Sequence, residues 1–159
     1  MYNFEFKNPV KIIFGKNTIS KIAAEIPQNA NILLTYGGGS IMKNGVYDQV
    51  KKALKGFNVK EFGGIEVNPH YETCMKAVEV VKSEKIDFLL SVGGGSVLDA
   101  TKFIAAAVYH KNGDPWDILA KAAPVENAVP IGAVLTLPAT GSEMNGNSVI
   151  SRVSTTEKL

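Results

Sequence analysis

The chain is short of the residues that usually announce chemistry: it has 1 cysteine, 1 tryptophan and 2 histidines in 159 residues. A lone thiol, Cys74, excludes an internal disulfide and suits a reducing cytoplasm. No apolar run approaches the roughly 20 residues a spanning helix needs, and the opening MYNFEFKNPV has neither signal-peptide nor lipidation character. Charge of one sign is also missing. The 17 Lys+Arg and 15 Asp+Glu leave a net charge of +2, with the lysines scattered, so no nucleic-acid footprint is expected. Two familiar phosphate fingerprints are absent as well: G-x-x-x-x-G-K-[ST] occurs nowhere, and G-x-G-x-x-G after Gly93 and Gly95 would need a glycine where Leu98 stands. The expectation is a soluble, cytoplasmic, globular α/β protein, one domain over residues 1–159, whose partners are small molecules and neither nucleic acid nor membrane.

What is present is organised around DFLLSVGGGSVLDATKFIAAA, residues 87–107. The apolar run Phe88 to Val92 reads as a strand buried on both faces of a parallel sheet. Three glycines come next, then a helix with Ser96 near its N-cap and Asp99 in its first turn. Backbone N–H groups at such a start lack intrahelical partners and carry the positive end of the helix dipole, and glycine admits a ligand close to them. The stretch predicts a phosphate seat; the alternative is a tight βα turn without a ligand.

In chain order, the alternation of Tyr2, Phe4 and Phe6, and then Val10 to Phe14, predicts two short strands. A helix comes next along Ile19, Ile22, Ala23 and Ile26, and Ile32 to Tyr36 predicts a second buried strand. That strand ends in Gly37-Gly38-Gly39-Ser40, the letters of 93–96 repeated about two βα units earlier. A helix from about Lys43 to Leu54, a short strand around Val59, a loop through Asn68-Pro69 and a helix from Thr73 to Lys82 lead to the central strand. Residues 109–124 predict a loop with one turn around Trp116, and Ile131 to Leu137 another buried strand, emptying into Pro138-Ala139-Thr140-Gly141-Ser142-Glu143. Alternating strands and helices predict a Rossmann-like parallel sheet with flanking helices, and all three polar turns fall at the carboxyl ends of its strands, where ligands collect. His70 and His110 have no partner at metal-ligand spacing and read as surface loop residues.

The set FGK near 14, TYGGGS at 35, NP at 68, GGGSVLD at 93, DPW at 114, LPATGSE at 137 and ISR...EK at the end resembles the N-terminal half of the iron-containing (group III) alcohol dehydrogenases. The branch it is most similar to holds NADPH-dependent aldehyde reductases and butanol dehydrogenases. The resemblance implies a dehydroquinate synthase-like nucleotide-binding domain, followed in the family by a helical domain whose Asp and three His hold a divalent metal, Fe or Zn. That second domain is expected to be absent from these residues, so the chain alone is expected to be inactive. The full protein would transfer hydride between NADP(H), or NAD(H), and a small alcohol or aldehyde, as a homo-oligomer.

Residue by residue, the resemblance implies that Gly94, Gly95 and Ser96 hold the pyrophosphate and Asp99 lies near the nicotinamide carboxamide. Thr136, Thr140 and Ser142 would line the cofactor, with Asn68 and Lys158 on the adenine-ribose side. No catalytic residue and no metal ligand is expected among the 159. Relatives that prefer NAD are similar in carrying an Asp at the position of Gly38. Here Gly37, Gly38, Gly39 and Ser40 offer N–H groups and a hydroxyl without a carboxylate, with Lys43 nearby, which predicts a preference for NADP. The alternative reading of the whole is a stand-alone nucleotide-binding or structural module without catalysis.

Overall fold

The computed structural model describes residues 3–5 and 7–159. Four strands form one parallel sheet in the order β2-β1-β3-β4, with β1 Asn31–Tyr36, β2 Asn58–Phe62, β3 Phe88–Gly94 and β4 Ile131–Leu137. The two central strands are the apolar runs. Ile32 sits opposite Phe88, Leu33 opposite Leu89 and Leu34 opposite Leu90, all buried. Period-2 alternation then divides the core in two. Leu33 and Leu89 pack against α4 (Tyr71–Ser83) and α5 (Gly95–Ala107) through Val78, Val81, Phe103 and Ile104. Ile32, Leu34, Leu90 and Val92 face the other way, onto Ile26, Val50 and Leu54. Ile26 directly follows α1 (Ile22–Glu25), which a 3-10 turn, Thr18–Lys21, leads into, and Val50 and Leu54 come from α3 (Val46–Ala53) and the residue after it. Each such aliphatic side chain contributes about 1.5–3 kcal/mol on burial.

Several expectations are corrected. Residues 3–5 and 7–14 form no strand, and Phe4, Val10, Ile12 and Phe14 are exposed; Tyr2 and Phe6 lie outside the described residues. Their alternation has no described sheet partner, and pattern without pairing does not make a strand. The helix expected over 43–54 is two: α2 (Ser40–Lys43) and α3, divided at Gly45, whose φ of 75° suits glycine and breaks the helix. β4 is not a buried strand. Among the described residues it is the far edge of the sheet, with Ile131 and Leu137 exposed and only β3 paired to it.

The connection from α5 to β4 has the expected form. A short helix, α6 (Asp117–Ala120), comes after Trp116, which is buried against Tyr71 at 5.5 Å between ring centroids. After β4, a 3-10 turn Ser142–Met144 and a hairpin of β5 (Ser151–Arg152) and β6 (Glu157–Lys158) complete the described chain. The hairpin has two residues on each strand, too few for periodicity to signal it.

Candidate nucleotide-binding site

The carboxyl ends of β1, β3 and β4 deliver the three polar turns side by side. At the middle one, the β3–β4 register shifts between Gly93 and Gly94, so the strand bulges as it turns into α5. Gly93 is packed: a β-carbon there would stand 2.7 Å from Val97 Cγ2. Gly94 is open, with no atom within 4 Å of where its β-carbon would be. A packed glycine followed by an open one at the head of a helix of 13 residues is the geometry of an anion seat. Beneath it, the buried Thr35 and Thr101 hydroxyls meet at 2.7 Å and Thr101 donates to the Val97 carbonyl, tying β1 to α5 without an unpaired polar group.

The helix starts at Gly95, two residues earlier than an N-cap at Ser96 would place it, and this changes the part played by Ser96 and Asp99. Ser96 is not a cap: its hydroxyl donates to the Val67 carbonyl, so toward a ligand it offers only its backbone N–H. Asp99 lies beyond the first turn and is committed to the 140s loop. Its Oδ1 accepts from Ser142 Oγ at 2.5 Å and its Oδ2 from the Val149 N–H at 3.2 Å. Lys102, which no sequence motif singles out, completes this clamp. Its ammonium donates to the carbonyls of Ser142 (2.9 Å) and Asn145 (3.3 Å) and lies 3.4 Å from Asp99. Burial drives its pKa down, partly offset by Asp99. The signal that would have found it is its spacing, three residues after Asp99 on one helix face.

Thr140 stands against the second glycine turn, with Oγ1 3.3 Å from where a Gly95 β-carbon would be. Thr136 and Ser40 are exposed, and among the described residues neither hydroxyl has a hydrogen-bond partner. Asn68 and Lys158 meet, Nζ donating to Oδ1 at 2.8 Å. The 63–68 loop bridges two of the turns: the Gly64 N–H donates to the Gly37 carbonyl (3.2 Å), the Ile65 N–H to the Tyr36 carbonyl (3.2 Å), and the Val67 carbonyl accepts from the Ser96 hydroxyl.

In the first turn, Gly39 has φ 99° and Gly38 is exposed with nothing within 4 Å of its β-carbon position. The turn rests on a cluster centred on Glu61, which accepts from Tyr36 (3.2 Å), Tyr47 (2.9 Å) and Lys51 (2.7 Å). Burial raises the Glu61 pKa, but bonds from Lys51, Tyr47 and Tyr36 outweigh it and hold the carboxyl below its ordinary range. A metal finds no comparable provision: among the described residues no three His, Cys, Asp or Glu stand together to hold one. No described helix is long and apolar enough to cross a membrane.

Sheet order and turn placement define an α/β domain of the Rossmann-like class. The family pattern of iron-containing alcohol dehydrogenases matches residues 9–159, and the chain belongs to that family. It is 57% identical over 99% of its length to the NADPH-dependent aldehyde reductase YqhD of Escherichia coli, covering 41% of that protein. It is 51% identical, over its whole length, to a probable NADH-dependent butanol dehydrogenase of Bacillus subtilis, again covering 41%. Among solved structures, that of E. coli YqhD superposes with a TM-score of 0.95 at 56% identity, over 98% of this chain and 40% of that one. The NADH-dependent butanol dehydrogenase A of Thermotoga maritima gives 0.95 at 49%, over 99% and 40%. The chain thus spans about two-fifths of the length of these relatives.

Proposed function

We propose that residues 1–159 are the nucleotide-binding unit of an enzyme that transfers hydride between NADP(H) and a small alcohol or aldehyde. The observation that carries this is the open Gly94 at the head of α5, flanked by the committed Ser96 and the clamped Ser142 turn. There the pyrophosphate would meet unpaired backbone N–H groups of Gly95 and Ser96 at the positive end of a helix, while Thr140 and Thr136 line the approach from β4. The cofactor supplies the hydride; this chain's residues bind it, orient it and hold its phosphates.

The preference for NADP(H) rests on Gly38, where no carboxylate stands to repel a 2′-phosphate and the Ser40 hydroxyl is free among the described residues. The iron-containing family implies a divalent metal, Fe or Zn, whose ligands would belong to a helical domain outside these residues. The lone buried Cys74 fits a cytoplasmic protein. Exposed Phe4, Val10, Ile12 and Phe14 fit burial in a homo-oligomer.

The test is NADPH oxidation by the intact protein with short-chain aldehydes such as butanal, with Fe(II) or Zn(II) added. Aldehyde-dependent turnover is expected, whereas residues 1–159 expressed alone should bind NADPH without turning over. An intact protein that binds NADPH and reduces no aldehyde would overturn the assignment of activity.

A further inference from the structure

Two sequence features, DPW at 114–116 and ISR at 150–152, have no part in the nucleotide site, and the fold joins them. Asp114 accepts three hydrogen bonds, from the Tyr71 hydroxyl at 2.5 Å, from the Trp116 backbone N–H of its own loop at 3.0 Å and from Arg152 Nη2 at 2.7 Å. The guanidinium lies over the Tyr71 ring, 4.7 Å from its centroid, and 5.6 Å from that of Trp116. Burial raises the Asp114 pKa, but the bonds from Tyr71, Trp116 and Arg152 outweigh it and keep the carboxyl below its usual range. Arg152 is the chain's only arginine, placed where a planar fork that also stacks on rings has uses an ammonium lacks.

The ion pair holds the turn-side end of the β5–β6 hairpin, and a ribbon this short is not stable unaided. Its anchors converge on the start of α4. Ile150 is fully buried, Ser151 N–H donates to the Pro69 carbonyl at 2.9 Å, and Glu72 accepts from the N–H groups of Val153 (3.3 Å) and Ser154 (3.2 Å). Ser151 is paired with Lys158 and Arg152 with Glu157. Successive side chains of a strand point to opposite faces, so a slip of one residue would turn Lys158 away from Asn68. The register that puts Arg152 on Asp114 is the register that puts Lys158 Nζ 2.8 Å from Asn68 Oδ1. Asn68 comes directly after Val67, which the first turn of α5 holds through Ser96. The Lys158 ammonium is therefore held on the loop that links both glycine turns.

We propose that Asp114 and Arg152 are positioning residues: their ion pair sets the register of the 151–158 hairpin and so holds the Lys158 ammonium where it serves a phosphate of the bound dinucleotide. The inference rests on the dinucleotide reading and adds to it a latch, remote from the ligand, that acts only through Lys158.

The test is a double-mutant cycle on the intact protein, read by NADPH fluorescence titration. Lys158→Met is expected to weaken NADPH binding about tenfold, the loss of one charge-assisted contact. Arg152→Met should weaken it by a similar factor, and the double variant should bind no worse than Lys158→Met alone. Arg152→Lys, which keeps the charge and loses the planar group that stacks on Tyr71 and Trp116, guards against a misfolded Met variant and should show a smaller loss with the same non-additivity. Amide hydrogen exchange without cofactor supplies a reading independent of the ligand: exchange over 150–159 should quicken in both Arg152 variants and stay unchanged in Lys158→Met. NADPH affinity unchanged in both Arg152 variants, a loss repeated in full on top of Lys158→Met, or unchanged exchange would each overturn the latch. A wild-type protein that fails to bind NADPH would instead overturn the dinucleotide reading, and the phosphate as occupant with it.

Discussion

Gly37–Ser40 and Gly93–Ser96 share four letters and the same station, the carboxyl ends of adjacent parallel strands, yet they are built for different work. The difference lies in the helix behind each turn. Behind the second stands a helix of 13 residues, whose aligned peptides give its first N–H groups a lasting positive potential. Behind the first stands a helix of 4 residues, broken again at Gly45. Behind the second turn, α5 is also clamped to the 140s loop by Asp99, Lys102 and Ser142, whereas the first rests on Tyr36, Tyr47 and Lys51 around Glu61 and on two backbone bonds from the 63–68 loop. Identical sequence thus yields the head of a long helix in one place and, in the other, an open rim before a short one, and on the proposed function the first of these seats phosphate while the second leaves room.

Asp99→Ala strips the carboxylate from a largely buried lysine and from the Ser142 hydroxyl, and should cost about 2–3 kcal/mol in urea unfolding. Lys43→Ala, beside the first turn and exposed, should change stability by less than about 0.5 kcal/mol. Equal effects would mean the two turns are supported alike. Next in size, Gly93→Ala drives a methyl into Val97 and should cost about 1–3 kcal/mol, while Gly38→Ala meets open space and should be close to neutral. A neutral Gly93→Ala would remove the packed glycine from the account.

A smaller effect separates them by pH. Glu61 has its folded pKa depressed, so its contribution is present above the ordinary value of 4.5 and is lost as pH falls through the folded value. Glu61→Gln should therefore flatten the acid limb of the stability profile below pH 4.5, by under about 1 kcal/mol because its partner Lys51 is 39% exposed. An unchanged acid limb would show that the first turn does not lean on Glu61.

Much of this architecture is legible in the sequence because burial writes it plainly. The runs 32–36, 88–92 and 131–137 are the strands found, within two residues at each end, and the glycine turns fall where the strands release the chain. The features that were not legible depend on neighbours. Ile131 to Leu137 is apolar enough for a central strand, but only pairing reveals that it is an edge. Val10, Ile12 and Phe14 alternate like a strand and have no described partner. Gly45 lies inside a helical pattern and breaks it through a φ that no letter count predicts. At the site, the glycines and Thr140 were legible as types. The commitments of Ser96 to Val67, Asp99 to Ser142 and Lys102 to two carbonyls join segments 29–43 residues apart and needed the fold.

The second glycine turn seats the cofactor's phosphates in this account, while the first chooses between cofactors. The most direct test of that division is the ratio of NADPH to NADH dissociation constants, measured by titration for wild type and Gly38→Asp, a substitution the open position accommodates without strain. The account predicts a wild-type preference for NADPH and a shift in the ratio toward NADH of about 10–100-fold in the variant, the size of a charge-assisted hydrogen bond lost to one cofactor and gained by the other. Equal affinities in wild type, or a ratio that Gly38→Asp leaves where it was, would contradict it.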